Sequence, residues 1–107
     1  MDAIEKNLTH FKEKHKGIYE AYQDFGRKLH EEGGPLDEKS RWLIKVAVSA
    51  SGQHSLSLKT HIRKARKAGC SWEEIEHAIL LVAPTSGFPT MMEALLALVE
   101  EEDEESK

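Results

Sequence analysis

Ile4, Leu8, Phe11, His15, Ile18, Tyr22, Phe25 and Leu29 follow one another at spacings of 4, 3, 4, 3, 4, 3 and 4. Spacings of three and four bring residues onto one face of an α-helix, whereas a strand alternates with period two. The segment therefore reads as one long helix, or as two helices meeting near Gly17, with an apolar seam along it. His15 fills a seam position, and its plain reading is a partly buried helix histidine. Gly33-Gly34-Pro35 should end the helix, because it combines flexible C-terminal residues with a proline stop.

Helical signals continue past that stop. Asp37 has the character of an N-cap. Leu43, Ile44, Val46, Ala47 and Val48 are nearly continuous in apolar character, which by periodicity alone allows a buried strand. The capping residue and the flanking helices favour a buried helix, ending about Ser49-Ala50-Ser51-Gly52. A further helix should run from Gln53 or His54 to Ala68, with Gly69 at its C-terminal cap. Ser71-Trp72-Glu73-Glu74 is a capping box, and Cys70 with Ile75 has the spacing of a hydrophobic staple, which gives Cys70 a structural task. That helix should continue through Ile79, Leu80 and Val82 and halt at Pro84. Gly87-Phe88-Pro89 reads as a turn, and a last helix carries Met91, Leu95, Leu98 and Val99. The adjacent Met91 and Met92 read as core packing. Glu100 to Glu105 is acidic, and its default is a frayed, solvated tail. The expectation is an all-α fold of about five to six helices. It places a single domain over 1–100 and an acidic tail over 101–107.

With 107 residues, one core of modest size is available, and oligomerisation would help to bury apolar surface. The formal charge of −4 gives no concentrated basic face, so nucleic acid is not an expected partner. The basic cluster Lys59, Arg63, Lys64, Arg66 and Lys67 reads as a solvated helix face or, alternatively, as the rim of an anionic-ligand site. A single cysteine, Cys70, excludes an intrachain disulfide and fits a reducing compartment. The N-terminus, Met1-Asp2-Ala3-Ile4-Glu5-Lys6, lacks the apolar core of a signal peptide, and apolar stretches such as Ile79 to Pro84 are too short to cross a bilayer. The expected location is the cytoplasm, with no membrane partner.

Chemistry is best placed in Gln53-His54-Ser55-Leu56-Ser57-Leu58-Lys59-Thr60-His61. On a helix, His54, Ser57 and His61 share a stripe at i, i+3 and i+7. His54 would lie in the first turn, where the helix dipole disfavours an imidazolium, and a neutral imidazole can serve as base or ligand. His61 would lie roughly 10 Å further along the axis, which is wide for joint metal binding. No cysteine or carboxylate completes a zinc set at that spacing, so no metal is expected. The plainer reading is two histidines that pack or hydrogen-bond. The sharper one gives His61 an acid/base or ligand-binding role. Ser57 and His61 form a nominal Ser-His pair, but no strained nucleophile elbow surrounds it. Without a P-loop or a dinucleotide fingerprint, no cofactor is expected.

The order of features carries a family signal. Leu36-Asp37-Glu38-Lys39-Ser40-Arg41 precedes an apolar helix ending Val48-Ser49-Ala50. Gln53, His61, Ala65 and Ala68-Gly69 follow, then Ser71-Trp72-Glu73-Glu74-Ile75 and Gly87-Phe88-Pro89. This arrangement, over about Leu36 to Leu95, resembles the carboxymuconolactone decarboxylase-like family, which includes alkylhydroperoxidase D. The resemblance implies an all-helical fold and a homo-oligomer, a trimer or a hexamer. It also implies where site residues should fall. The peroxidase branch has a Cys-x-x-Cys pair at the start of the central helix and a histidine four residues after the second cysteine. His54 and Ser57 stand at the two cysteine positions and His61 at the histidine, while the glutamate of the proton relay falls near Trp42. Neither His nor Ser forms a disulfide, so thiol peroxidase chemistry is disfavoured, and Cys70 belongs at the opposite end of that helix. The decarboxylase branch resembles this chain in Leu58-Lys59 before His61 and in Gly87-Phe88-Pro89. It acts on a small lactone acid without metal or redox thiol, and a glutamate usual there falls at Ser57. The resulting expectation is non-redox acid/base chemistry on a small molecule, centred on His61 with His54 or Ser57 assisting. The alternatives are a non-catalytic ligand-binding or scaffold relative, and a residual alkylhydroperoxidase.

Overall fold

The computed structural model describes residues 2–107, so Met1 of the charged N-terminus lies outside the described residues. The described residues form six helices of two turns or more and one single-turn helix, and no strand occurs among them. The fold is all-α. Two compact units divide at Leu36 and Asp37.

The first unit holds α1 (Ala3–Lys14) and α2 (Lys16–Glu32). Asp2 caps α1 by accepting from the Glu5 N–H at 2.9 Å. The helices part at His15 (φ −127°, ψ 53°), two residues before Gly17. His15 is exposed rather than partly buried. As the residue shared by two helix ends it leaves helical dihedrals, so its side chain no longer follows the seam; the ring lies 5.7 Å from Phe11. Ile18, Tyr22, Phe25 and Leu29 keep their common face and are all more than half exposed. The polar side of α2 is laced by Arg27 to Asp24 and Glu31 and by Lys28 to Asp24. The helix stops before Gly33-Gly34-Pro35, as its sequence dictates.

The second unit packs α3 (Glu38–Ser51), α4 (Ser55–Lys67), α5 (Trp72–Leu80), α6 (Ala83–Ser86) and α7 (Phe88–Ser106). Asp37 caps α3, accepting from the Ser40 N–H at 2.7 Å. The apolar run of α3 splits around the helix: Val46 and Ala50 are buried with Ser49, while Ile44 and Val48 are exposed. A helix among other helices buries one stripe, not a continuous run. Leu58, Ile62 and Ala65 of α4 meet Ile75 and Ile79 of α5 and Met91, Ala94 and Leu98 of α7 in one core. Each fully buried isoleucine there contributes about 1.5–3 kcal/mol of transfer free energy. Met91 joins the core, but Met92, one position round the helix, is exposed.

The α4–α5 junction is set by local chemistry. Gly69 (φ +96°) takes the left-handed position after the helix. Its N–H donates to Arg66 O at 3.0 Å, and the Cys70 N–H to Ala65 O at 2.9 Å, the bond pair of a Schellman motif. The capping box is complete: Ser71 Oγ accepts from the Glu74 N–H at 3.0 Å, and Glu74 Oε1 from the Ser71 N–H at 2.8 Å. Cys70 and Ile75, on either side of the cap, are both fully buried.

Three boundaries differ from expectation, the first being that Phe88 and Pro89, expected in a turn, open α7. α5 ends at Leu80, and Pro84 sits in the first turn of α6, where its missing N–H costs nothing. α7 does not fray after Val99 but continues to Ser106. Basic residues of α4 hold its acidic end: Lys59 pairs with Glu100, Arg63 with Glu101 and Arg66 with Glu105, at 2.6, 2.8 and 2.7 Å. Charge complementarity between helices keeps the acidic run helical, while all of it but Glu101 stays exposed. Among the described residues, no helix is long and apolar enough to cross a membrane.

Candidate functional site

The site begins where α3 hands over to α4. The Gln53 N–H donates to Ala50 O at 3.2 Å and the His54 N–H to Ser49 O at 3.0 Å, repeating the Schellman pattern. Here the left-handed position is held by Gln53 (φ +59°) rather than by glycine. A left-handed non-glycine costs on the order of 1 kcal/mol and persists only where surrounding structure fixes it. One fixing contact is visible: Gln53 Nε2 donates to Oγ1 of the buried Thr90 on α7 at 3.3 Å.

His54 stands at the N-cap position of α4 without a side-chain cap bond, and it is exposed. Its ring lies over Gly52: a Cβ there would come within 2.8 Å of the imidazole Cδ2, so glycine permits this close approach. Ser57, in the first turn of α4, is exposed. His61 is half-buried and turned toward α3. Its Nδ1 lies 2.5 Å from Oγ of the buried Ser49 and 3.2 Å from the Lys45 carbonyl oxygen. The Trp42 ring is 5.9 Å from the imidazole, and Lys45 Nζ lies 5.2 Å from the Trp42 ring. Of the three residues on the sequence stripe, His61 thus enters a cluster with α3, while His54 and Ser57 occupy the exposed first turn.

The Lys45 carbonyl can only accept and the Ser49 hydroxyl can do either, so a neutral imidazole satisfies both contacts when its proton is on Nδ1, which leaves its lone pair on Nε2. Burial lowers the Lys45 ammonium below the usual lysine value, and the positive charge of Lys64 adds to the effect. A cation, an indole and an oriented imidazole therefore meet at one helix–helix contact. Sequence reading did not single out Ser49 or Lys45. The available signal was a serine within the apolar run of α3, four residues after a lysine, but the partner of that turn is set by tertiary packing.

A groove of about 390 Å³ runs along α4, lined by Arg63, Lys64, Arg66, Lys67 and Glu105. Two of its cations are committed, Arg63 to Glu101 and Arg66 to Glu105. Arg66 also lies 4.4 Å over the Trp72 ring. Among the described residues, no group of three histidine, cysteine, aspartate or glutamate side chains is placed to hold a metal ion.

The sequence model of the carboxymuconolactone decarboxylase family matches residues 16–100. The chain belongs to this family. It is also similar to an uncharacterized protein of Methanocaldococcus jannaschii, with 27% identity over 100 residues, covering 94% of this chain and 86% of the relative.

Within the carboxymuconolactone decarboxylase family, this member has no Cys-x-x-Cys pair, because Cys70 is its one cysteine. Cys70 lies beyond the C-terminal end of α4, fully buried, with Sγ directed to the Lys39 carbonyl at 3.7 Å. Burial raises its thiol pKa, and the nearby Glu74 carboxylate adds to that. A buried thiol held protonated is a poor nucleophile.

Proposed function

We propose that this protein binds a small molecule and acts on it by non-redox acid/base chemistry, with His61 as the proton-transferring group. The supporting observation is the pair of contacts at His61 Nδ1, to Ser49 Oγ and to the Lys45 carbonyl. With the proton on Nδ1 they would hold the ring and leave the lone pair on Nε2, the atom that would take a proton from a bound substrate. Ser49 acts as a positioning residue in this reading. His54 and Ser57, on the same side of α4, would assist at the substrate's far end. The working unit would be a cytoplasmic homo-oligomer, a trimer or a hexamer. The exposed seam of Ile18, Tyr22, Phe25 and Leu29, and the exposed Phe88, Met92 and Leu96 on α7, supply apolar surface for such an assembly.

A second reading has its own observation. Trp42 places an indole, not a carboxylate, 5.9 Å from the His61 ring. An indole offers stacking and one N–H, which suits a ligand-binding relative that performs no turnover. Residual thiol peroxidase activity has the least support, given the buried, protonated Cys70.

Turnover of a panel of small lactone acids and other small carboxylates distinguishes the readings. Acid/base catalysis predicts that wild type converts at least one of them and that His61→Gln lowers kcat by about 100-fold or more. Binding without conversion by both proteins would establish the second reading.

A further inference from the structure

Arg66 is held from two sides. Its guanidinium lies 4.4 Å over the Trp72 ring, and Nη1 donates to the Cys70 carbonyl at 3.0 Å. These contacts leave one edge of the group, Nε and Nη2, as a fixed fork, which grips Glu105 at 3.0 and 2.7 Å. The partner of Arg66 is unlike that of Arg63. The Glu101 side chain is 7% exposed, whereas that of Glu105 is 49% exposed and belongs to the last turn of α7. An exposed ion pair near a helix end is weak and exchanges readily with solvent. Lys64 and Lys67 line the same groove of about 390 Å³ and are both exposed. Among the described residues, neither is paired with a carboxylate. With Arg63 matched by Glu101 and Arg66 by Glu105, two positive charges of the groove remain without a counter-charge.

We propose that this groove is a phosphate-binding site, with the Arg66 fork and the Lys64 and Lys67 ammonium groups as its donors, and with Glu105 as an internal occupant that a phosphate dianion displaces. A planar fork fixed before binding suits a bidentate oxyanion, because little side-chain freedom is left to lose. A carboxylate monoanion offers the fork only what Glu105 already supplies from within the chain. A phosphate dianion offers more: two oxygens take the fork, and the third, with the second negative charge, faces the ammonium groups. A basic face that is merely solvated would have no reason to fix one guanidinium between a ring and a carbonyl. The site lies between α4 and the end of α7, whereas His61 turns toward α3. It is therefore independent of the acid/base reading and requires no turnover.

The test is an NMR titration of the full-length protein at pH 8 and constant ionic strength, with inorganic phosphate, methyl phosphate and dimethyl phosphate. The first two are dianions there, and the diester is a monoanion of similar shape. The Trp72 indole N–H and the Lys67 backbone N–H are the reporters, and the Trp42 indole is the control. Inorganic or methyl phosphate should move both reporters saturably and leave Trp42 in place. Tighter binding of the ester would assign the site to organic phosphates, and equal binding to the free ion. Arg66→Lys, which keeps the charge and loses the fork, should weaken binding by about tenfold. Lys67→Gln should weaken it by several-fold, and it should fold, because Lys67 is exposed and has no carboxylate partner. Glu105→Gln removes the internal occupant and should tighten binding by about threefold or more. Glu104→Gln removes the same charge one residue earlier, where it pairs with Lys107, and should change binding by less than about twofold. No saturation, dimethyl phosphate bound as tightly as methyl phosphate, or unchanged affinity in both Arg66→Lys and Lys67→Gln would overturn the proposal. So would equal tightening by Glu105→Gln and Glu104→Gln, which would show general charge attraction in place of a displaced occupant.

Discussion

Ser49 Oγ stands 2.5 Å from His61 Nδ1, across the contact between α3 and α4. Ser49 is buried, and the same nitrogen lies 3.2 Å from the carbonyl of Lys45, one turn earlier on α3. The imidazole is therefore held from one side by a helix that supplies both a hydroxyl and a main-chain acceptor. Ser49→Ala should cost about 1 kcal/mol of stability, the net worth of one hydrogen bond. Its sharper signature is the tautomer. In wild type, nitrogen-15 shifts of His61 should show the proton on Nδ1, and in Ser49→Ala a mixture. An unchanged tautomer would mean that the Lys45 carbonyl alone orients the ring.

Arg63 and Glu101 form a two-armed pair, with nitrogen–oxygen distances of 2.8 to 3.1 Å. Glu101 is buried and the Arg63 side chain is one-third exposed. Glu101→Ala removes the buried carboxylate that the Arg63 guanidinium grips with both arms. We expect a loss of about 2–3 kcal/mol in urea denaturation, less than for a fully buried pair because solvent reaches Arg63. Glu104→Ala, at a residue two-thirds exposed and paired with the terminal Lys107, should change stability by less than about 0.5 kcal/mol.

Acid should weaken the fold through its capping carboxylates. The Ser71 backbone N–H, then Lys39, holds Glu74 below the ordinary glutamate value of 4.5. The Ser40 N–H and hydroxyl hold Asp37 below the ordinary aspartate value of 3.8. For a carboxylate depressed in the folded state, the unfolded chain takes up protons first as pH falls. Its contribution is full above the unfolded value and is lost as pH drops through the folded value. Urea midpoints should therefore show no pH dependence from Glu74 near neutrality and decline below about 4.5, and Glu74→Gln should remove part of that slope. A midpoint that rises on acidification would contradict the assignment.

Cys70 should behave as a core residue. Its reaction with a thiol reagent at neutral pH should be limited by opening of the α4–α5 region, and low concentrations of urea should accelerate it. Rapid labelling in the native state would show that the thiol is accessible, and would revive a redox role.

The parts of this fold that were legible in the sequence are those decided within a few residues. Asp37, Gly69 and the Ser71–Glu74 box determine their helix ends by local hydrogen bonds, and each stands where its residue type indicates. The turn at Gln53 was harder, because a glutamine occupies a conformation that normally advertises itself through glycine. The acidic end of α7 looked like tail because its partners, Lys59, Arg63 and Arg66, lie about forty residues away in sequence. The candidate site shows the same division. His61 could be singled out from its stripe. Ser49, Lys45 and the apposition of Trp42 depend on how α3 lies along α4, and no local pattern encodes that.

Proton exchange at carbon tests the role of His61 most directly. Small lactone acids are incubated with the protein in heavy water, and loss of their carbon-bound acidic protons is followed by NMR. The account predicts that wild type accelerates exchange of at least one acid over buffer, and that His61→Gln loses about 100-fold or more of that acceleration. Exchange of that acid at the same rate with His61→Gln, or no acceleration by wild type with any acid of the panel, would contradict it.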